Sequence, residues 1–267
     1  MKLDVVLLTK NSLQPCLKEC VESVYANIPV DRLLVVDGGS TDGTLELLNN
    51  YPNVKVISDA NGTRATARQK GIEAIKTVWH VHVDSDVVLS KGWFQNAWKL
   101  VNDKVGAVWG ASVPAERHFF NIDYAMSKLY KKSIKELLVK QIRSQRCMMH
   151  DTLIRTVAVN GIRIPQNLHI WEDDYIGRYI KQKGFRFLKV VEPYCLHFLT
   201  PNERFSGFIT TGYLMRKYRL WRLSQVVRGL LLALPKSVWI FIATRDFQAS
   251  RIHLLSQALI FKGWLSN

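Results

Sequence analysis

Apolar runs with strand character alternate with runs of helical period over the first ninety residues. LDVVLLT at 3–9 is apolar and β-branched, and predicts a first strand. From Leu13 to Val24 apolar residues fall at 13, 17, 20, 21 and 24, a helical period. RLLVVDGGSTDGT predicts a second buried strand ending in a Gly-rich turn, and Thr44 to Asn50 a short helix. VKVIS predicts a third strand, Asn61 to Ile75 a loop running into a helix, and WHVHVDSD a fourth strand. Such alternation implies βαβ crossovers: an α/β fold with a mainly parallel central sheet flanked by helices. Ligands bind such sheets at the carboxyl ends of strands. Asp37 and Asp84 stand at two of those ends and are expected to converge.

The later chain predicts a helix over Gly92 to Leu100, a strand at VGAVWGASVP and one long helical stretch from Phe119 to Ile142. WEDDYIGRYIKQKG reads as a helix with acidic residues in its first turn and Gly184 at its end. FRFLKVVEPYCLHF is a strand with His197 near its end. Beyond residue 200 the segment GLLLALPKSVWIFIATRDF is strongly apolar, but Pro235 and Lys236 interrupt it. Its unbroken pieces are too short for a membrane span of about 20 residues. They predict basic amphipathic helices that lie on a membrane surface or pack on the core. The expected division is an α/β domain over 1–200 and a basic helical extension over 201–267.

Composition narrows this only a little. The 267 residues are 48% apolar and 22% charged, values of a globular chain long enough for one large domain or one domain plus an appendage. Charge changes the picture more. Residues 1–127 carry 13 Lys+Arg against 14 Asp+Glu, a net −1. Residues 128–267 carry 24 against 8, a net +16. That asymmetry points to an anionic partner on the C-terminal side: lipid headgroups, a phosphorylated substrate or nucleic acid. No nucleic-acid-binding motif accompanies it, so nucleic acid is not expected. Cys16, Cys20, Cys147 and Cys195 form no CxxC pair, which fits reduced thiols in a cytosolic compartment. The opening MKLDVVLLTKN reads as a strand, not a signal peptide.

Candidate chemistry begins at HVHVDSDVVLS. Asp84 and Asp86 sit in or just after a β-branched run, where carboxylates are costly unless they bind something. At spacing i, i+2 along an extended segment both point the same way, toward a divalent cation or sugar hydroxyls. The alternative is a strand ending at Asp84 followed by two solvated aspartates. Three further places are LLTKN at 7–11, VVDGGSTDGT at 35–44 and WEDD at 171–174. In order, spacing and strand context the four together resemble a family 2 glycosyltransferase of the GT-A, Rossmann-like fold, over residues 3 to 200.

The resemblance implies a role for each place. Thr9, Asn11, Asp37 and Gly39 match the family's nucleotide-binding positions, with Asp37 accepting hydrogen bonds from a uracil or guanine N–H. Asp37 can equally cap its own turn. Lys10 stands where many relatives have an aromatic residue. Arg64 and Arg68, in NGTRATARQKG, match a basic loop and helix below the donor, where guanidinium forks suit phosphate oxygens; the alternative is a solvated helix face. Asp86 matches the ligand of the divalent ion that bridges the donor phosphates, and Asp84 its partner facing the ribose or the ion's water shell. Oxygen ligands and a diphosphate imply Mg²⁺ or Mn²⁺. His197 falls where some relatives place a further metal ligand. Asp173 matches the acceptor base, with Glu172 and Trp171 beside it as pocket residues; Arg155, near a basic position common before that segment, is a further candidate for the pocket. The other reading of WEDD is charge complementing a helix dipole. His80, His82 and His150 are expected to be structural.

The expectation is an inverting, metal-dependent glycosyltransferase with a UDP- or GDP-sugar donor and a lipid-linked or glycan acceptor, peripheral at the cytosolic face of the membrane. Its rivals are a soluble transferase on a polysaccharide or small acceptor, and a non-enzymatic nucleic-acid-binding or scaffolding protein that uses the basic half.

Overall fold

The computed structural model describes residues 1–166, 168, 171–198, 201–217, 219 and 221–266. These fall into two units. One holds residues 1–113 and 138–198, the other residues 114–137 and 199–267. The second unit therefore takes in a stretch from the middle of the chain as well as the tail. Residue 200, where the sequence reading ends the catalytic domain, lies outside the described residues.

The chain opens with β1 (Leu3–Thr9), α1 (Leu17–Asn27), β2 (Val30–Asp37) and α2 (Thr44–Leu48). β3 (Val54–Ser58), α3 (Arg64–Glu73) and β4 (Trp79–Asp84) follow. Then come β5 (Val87–Leu89), α4 (Trp93–Trp98) and β6 (Val105–Pro114). Alternation along the strands decides which helix covers which face. Leu3, Val5 and Leu7 of β1, with Leu33, Val35, Val81 and Val83, pack on Leu17, Cys20, Val21 and Val24 of α1 and on Trp93 of α4. The intervening Val6, Leu34 and Val36 pack on Ala67 of α3. Gly71 lets α3 lie close: a Cβ there would meet Val6 Cγ1 at 2.5 Å. The expected helix from Leu13 starts only at Leu17, because the preceding loop is tied elsewhere: Ser12 N donates to Thr44 Oγ1 and Leu13 N to Asp42 Oδ2.

After β6 come α5 (Arg117–Tyr130) and α6 (Ile134–Ser144), where the sequence suggested one helix. The break is written in SIKE: Lys131 ends α5 in a left-handed conformation, φ 51°. Ser133 and Glu136 then form a reciprocal cap, Ser133 N to Glu136 Oε2 at 2.7 Å and Glu136 N to Ser133 Oγ at 3.2 Å. β7 (Asp151–Arg155), α7 (Thr156–Val159), α8 (Glu172–Gln182) and β8 (Arg186–His197) complete the first unit.

The sheet runs β3-β2-β1-β4-β7-β6-β8-β5. The pairs β1–β2, β1–β4 and β2–β3 are parallel, whereas β4–β7, β6–β7 and β5–β8 are antiparallel. The sheet is thus mixed, not mainly parallel: only its N-terminal half is built from βαβ crossovers. β7 reaches the sheet from the carboxyl end of β4, with Asp151 opposite Val83 and Arg155 opposite Trp79. That direction sets which β7 residues stand near Asp84.

A buried carboxylate near the start of β1 is structural. Asp4 is fully buried and accepts a fork from Arg32, Nε at 2.9 Å and Nη2 at 2.5 Å, and a bond from Lys76 N at 2.7 Å. Burial pushes its pKa up, but the Arg32 and backbone hydrogen bonds outweigh this and hold it below the usual value. Its stabilisation is therefore complete above the unfolded-state pKa and is lost as pH falls through the lowered folded one. Asp4→Ala is expected to cost about 2–3 kcal/mol at pH 7, below the usual loss for a fully buried pair because Arg32 keeps some solvent contact. Urea unfolding of variant and wild type at pH 7 checks this; an unchanged midpoint would refute it.

The second unit is helical: α5, then α9 (Pro201–Lys217), α10 (Leu223–Leu231), α11 (Ala233–Thr244) and α12 (Phe247–Leu265). Ala125, Ile240 and Ala249 form a small core with Ile122, Met126 and Trp239, whose Nε1 donates to the Ala125 carbonyl at 2.9 Å. α9 and α12 touch backbone to backbone through glycines. A Cβ at Gly212 would lie 1.9 Å from the Ile260 carbonyl oxygen, and one at Gly263 would lie 1.9 Å from that of Ile209. Among the described residues no single helix is long and apolar enough to cross a membrane.

Candidate active site

The carboxyl ends of β1 and β2 are adjacent, Thr9 opposite Asp37. Asp37 is buried and heavily bonded. Its Oδ1 accepts from Thr9 Oγ1 at 3.0 Å and Ser40 Oγ at 2.5 Å, and its Oδ2 from Gly39 N and Ser40 N, both at 2.9 Å. Burial alone would raise its pKa; the bonds from Ser40, Gly39 and Thr9 outweigh that and lower it. A carboxylate has about four lone-pair sites, and these four bonds fill them. A further donor can reach Asp37 only if one is given up, and the Thr9 and Ser40 hydroxyls, which can rotate, yield more readily than the two backbone N–H groups. Gly39 takes φ 89°, which lets the turn close beneath the carboxylate. Asn11 ties this turn to the β1 loop: its N donates to Ser40 Oγ and its Oδ1 accepts from Thr41 N, both at 2.8 Å.

At the end of β4 the side chain of Arg68 is almost wholly buried and ion-pairs with Asp84 at 2.5 Å, while Nη1 lies 3.1 Å from His82 Nδ1. Arginine can only donate, so His82 Nδ1 accepts and the ring is neutral with its proton on Nε2. This agrees with a His82 pKa driven far down by burial and by Arg68. Arg68 Nε is buried and has no partner among the described residues. Burial pushes the Asp84 pKa up, and Arg68 and His150 more than reverse it. Two residues that the sequence suggested for separate roles are thus partners. Arg64 is exposed at the start of α3, near enough to add to the lowering at Asp84 and to offset part of the rise at Glu172.

Asp86 lies in the turn after β4, not on an extended strand with Asp84. β8 brings His197 to it, because β8 pairs with β5 and sets His197 opposite Val87. His197 Nε2 lies 3.1 Å from Asp86 Oδ2, and Nδ1 lies 3.2 Å from Ser112 Oγ. Asp86 Oδ1 is buried without a partner among the described residues. Beside them is a cluster the sequence reading missed. His150 Nδ1 lies 2.9 Å from Asp151 Oδ1 and 3.7 Å from Cys195 Sγ, and Trp93 Nε1 donates to Asp151 Oδ2 at 3.0 Å. The ligand atoms of His150, Asp151 and Cys195 lie within 4.8 Å of one another, all buried. Cys195 engages His150 and Trp93 holds Asp151 through Oδ2, which fits a packed polar support behind His197, whose ring centroid is 5.6 Å from that of His150.

The acidic run opens α8, where Trp171 takes φ 86°, a conformation rare for a bulky residue. Glu172, Asp173 and Asp174 are all buried. Asp174 is structural, accepting from Arg178 Nε at 2.7 Å and from Cys147 N at 3.2 Å. Asp173 Oδ1 lies 3.3 Å from Arg146 Nη1, and the Arg146 guanidinium covers the Trp171 ring at 4.8 Å. Burial raises the Asp173 pKa; Arg146 and then Arg68 oppose this, but the net shift stays upward. Glu172 is likewise raised, by burial and by Asp173. Arg68 thus acts on Asp84, Glu172 and Asp173 together. Arg146 had no signal in the sequence beyond one cation among many.

Arg155 stands apart. It pairs with Trp79, at the opposite end of β4 from Asp84, about 16 Å away at 3.3 Å per residue. Its guanidinium covers the Trp79 ring at 4.9 Å and donates to the Asn102 carbonyl at 2.8 Å. It is a packing residue, and its expected place in the pocket is corrected by the antiparallel direction of β7.

The sequence model of glycosyl transferase family 2 matches residues 4–162. The chain is 24% identical over 234 residues to the O-antigen chain rhamnosyltransferase RfbN of Salmonella typhimurium, covering 79% of this chain and 72% of that one. In fold it is similar to the mannosyltransferase PcManGT of Pyrobaculum calidifontis, solved with GDP-Man and Mn²⁺. The TM-score is 0.63 at 15% identity, over 98% of this chain and 85% of the other. It is also similar to S. aureus TarS 1–349 in complex with UDP-GlcNAc, with TM-score 0.56 at 19% identity, over 95% and 70%.

Proposed function

The chain belongs to glycosyl transferase family 2 and is a glycosyltransferase; from that premise we propose that it moves a sugar from a nucleoside-diphosphate sugar to a lipid-linked or glycan acceptor, with inversion and with a divalent ion. The observation that carries the reading is a set of unequal carboxylates: Asp84 paired with Arg68, Asp86 beside His197 with one oxygen unpartnered, Asp173 buried with a raised pKa. Membership of an enzyme family sets aside the non-enzymatic reading.

The residues fit a divalent ion. Asp86 Oδ1 has no protein partner, and the adjacent His197 supplies an imidazole nitrogen. A mixed oxygen and nitrogen set favours Mn²⁺ over Mg²⁺, which prefers oxygen ligands throughout. When bound, the ion offsets charge on the departing diphosphate. Arg68, with Arg64 at the rim, supplies further positive charge there. The Thr9, Asn11, Asp37 and Gly39 turn holds the nucleoside. Asp173 takes the proton of the acceptor hydroxyl as that oxygen forms its bond to the anomeric carbon. The bond from that carbon to the donor phosphate oxygen breaks, and its electron pair leaves with the diphosphate. Attack from the face opposite the leaving group gives inversion. Glu172 and Trp171 border the acceptor.

The two solved relatives carry GDP-Man and UDP-GlcNAc, so both bases belong in the test, and the name of the rhamnosyltransferase relative favours a surface-glycan acceptor. The +16 balance of residues 128–267 favours a lipid-linked, anionic form of it. Thermal unfolding with UDP- and GDP-sugars, with and without Mn²⁺, is the test. A donor at about a hundred times its Kd adds about 2.7 kcal/mol, which raises Tm by about 5 °C or more. One base series is expected to do this, with Mn²⁺ and not with EDTA. If no sugar nucleotide raises Tm in Mn²⁺, the donor reading fails.

A further inference from the structure

A helix that is apolar all round belongs inside a core or inside a membrane. α11, in which Lys236 is the one charged residue, comes close to this description but is covered on one side only. Ala233, Ser237 and Ile240 are buried, the last within the small core of the second unit. On its outer side Leu234, Val238, Phe241 and Ile242 continue a stripe from Leu231, at the end of α10, at helical spacing. These five are 40% to 72% exposed. Leu223, Leu232 and Phe247 are exposed alongside. Surface apolar residues scattered singly need no explanation, but a stripe along three turns does. Between Glu203 and Asp246 there is no carboxylate, while there are eight cations: Arg204, Arg216, Lys217, Arg219, Arg222, Arg228, Lys236 and Arg245. Arg222, Arg228 and Arg245, next to the stripe in sequence, are exposed.

We propose that the outer face of α10 and α11 docks on an anionic lipid bilayer, the apolar stripe entering the acyl boundary and the flanking arginines contacting phosphate headgroups. This rests on, and deepens, the lipid-linked-acceptor reading of the active site. Charge selects the bilayer over the other obvious occupant, a second copy of the chain. A two-fold interface sets the same patch against itself, so arginines with no carboxylates between them would meet arginines. An anionic surface complements them, and α10 and α11, bent by 45° at their junction, are each short enough to lie in the interface.

The test is flotation of the full chain with phosphatidylcholine vesicles, with and without phosphatidylglycerol. It needs no donor, no metal and no turnover, so its outcome is separate from that of the transferase reading. Wild type is expected to float with the anionic vesicles at low salt and less at high salt. Leu234→Asp with Ile242→Asp is expected to lower the partition coefficient at least about tenfold, with an unchanged circular dichroism spectrum. Leu234→Gln with Ile242→Gln serves if the aspartates unfold the unit. Arg222→Glu with Arg228→Glu should abolish the preference for anionic lipid, and Val78→Asp, an exposed apolar site in the first unit, should change nothing. The proposal is overturned if wild type stays in the aqueous fraction, or if the stripe variants float like wild type. It also fails if sedimentation shows a dimer that those variants convert to monomer without any vesicle binding.

Discussion

Asp173→Asn is expected to lower kcat for sugar transfer by about a hundred- to ten-thousandfold, the range for loss of a general base, while the donor binds as before. Asparagine keeps the shape and the hydrogen bond from Asp174 N but cannot take a proton. Asp173 is chosen over its neighbours by its bonding. Asp174 is spent on Arg178 and the Cys147 amide, and Glu172 shares the influence of Arg68 without a direct ion pair among the described residues. Asp173 has one, with Arg146 at 3.3 Å, in a site where only 7% of the side chain is exposed. Calorimetric titration with donor and Mn²⁺, beside a transfer assay, separates the two effects. Full transfer by the variant would sink the assignment.

The same geometry sets a pH dependence. A base works only when ionised, and burial raises the Asp173 pKa above the usual carboxylate value of 3.8. The rate is therefore expected to fall on the acid side through a limb above that value. Arg146 opposes the shift. Arg146→Gln removes the opposing charge, so the Asp173 pKa rises further and the acid limb moves to higher pH. A limb that stays put, or moves down, would mean that Arg146 does not act on this carboxylate.

Much of this site is legible in the chain because it lies on short local segments. The turn DGGSTDGT announces itself through its glycines and its hydroxyl and carboxylate caps, and three of the four bonds to Asp37 come from within three residues of it. Strands β1, β2 and β4 are apolar runs whose carboxyl ends must be adjacent once they are parallel. What the chain conceals is direction and pairing. The i, i+2 argument for Asp84 and Asp86 assumes an extended backbone; the turn at Ser85 and Asp86 breaks it, and the two carboxylates take different partners. Arg155 is read near the pocket because a strand shows its residues but not which way it runs. β7 runs antiparallel to β4, so its first residue, Asp151, reaches the site and its last does not. Arg146 and Asp173 are 27 positions apart and meet only when α8 closes on the segment before β7; no local pattern marks such a pair.

Asp86→Ala carries the other large expectation: loss of Mn²⁺-dependent donor binding by about a hundredfold or more, since an ion at the diphosphate contributes several kcal/mol. Asp84 provides the contrast. Its carboxylate already pairs with a buried arginine, so Asp84→Asn strands that cation and is expected to cost stability before it costs metal affinity. The sign of the difference is testable by thermal unfolding. Asp84→Asn should lower the unliganded Tm. Asp86→Ala should lower it by less, because it removes one oxygen that has no protein partner and a single contact, that of Oδ2 with His197 Nε2. His197 tests the identity of the ion. With glutamine at 197 an amide oxygen replaces the imidazole nitrogen, and the set becomes all-oxygen. Overall affinity should fall, yet the advantage of Mn²⁺ over Mg²⁺ should shrink, because that advantage comes from the nitrogen. Were His197→Gln to keep the full preference for Mn²⁺, the imidazole would not be a ligand. Its bond to Asp86 would then serve only to orient a carboxylate that binds the ion alone.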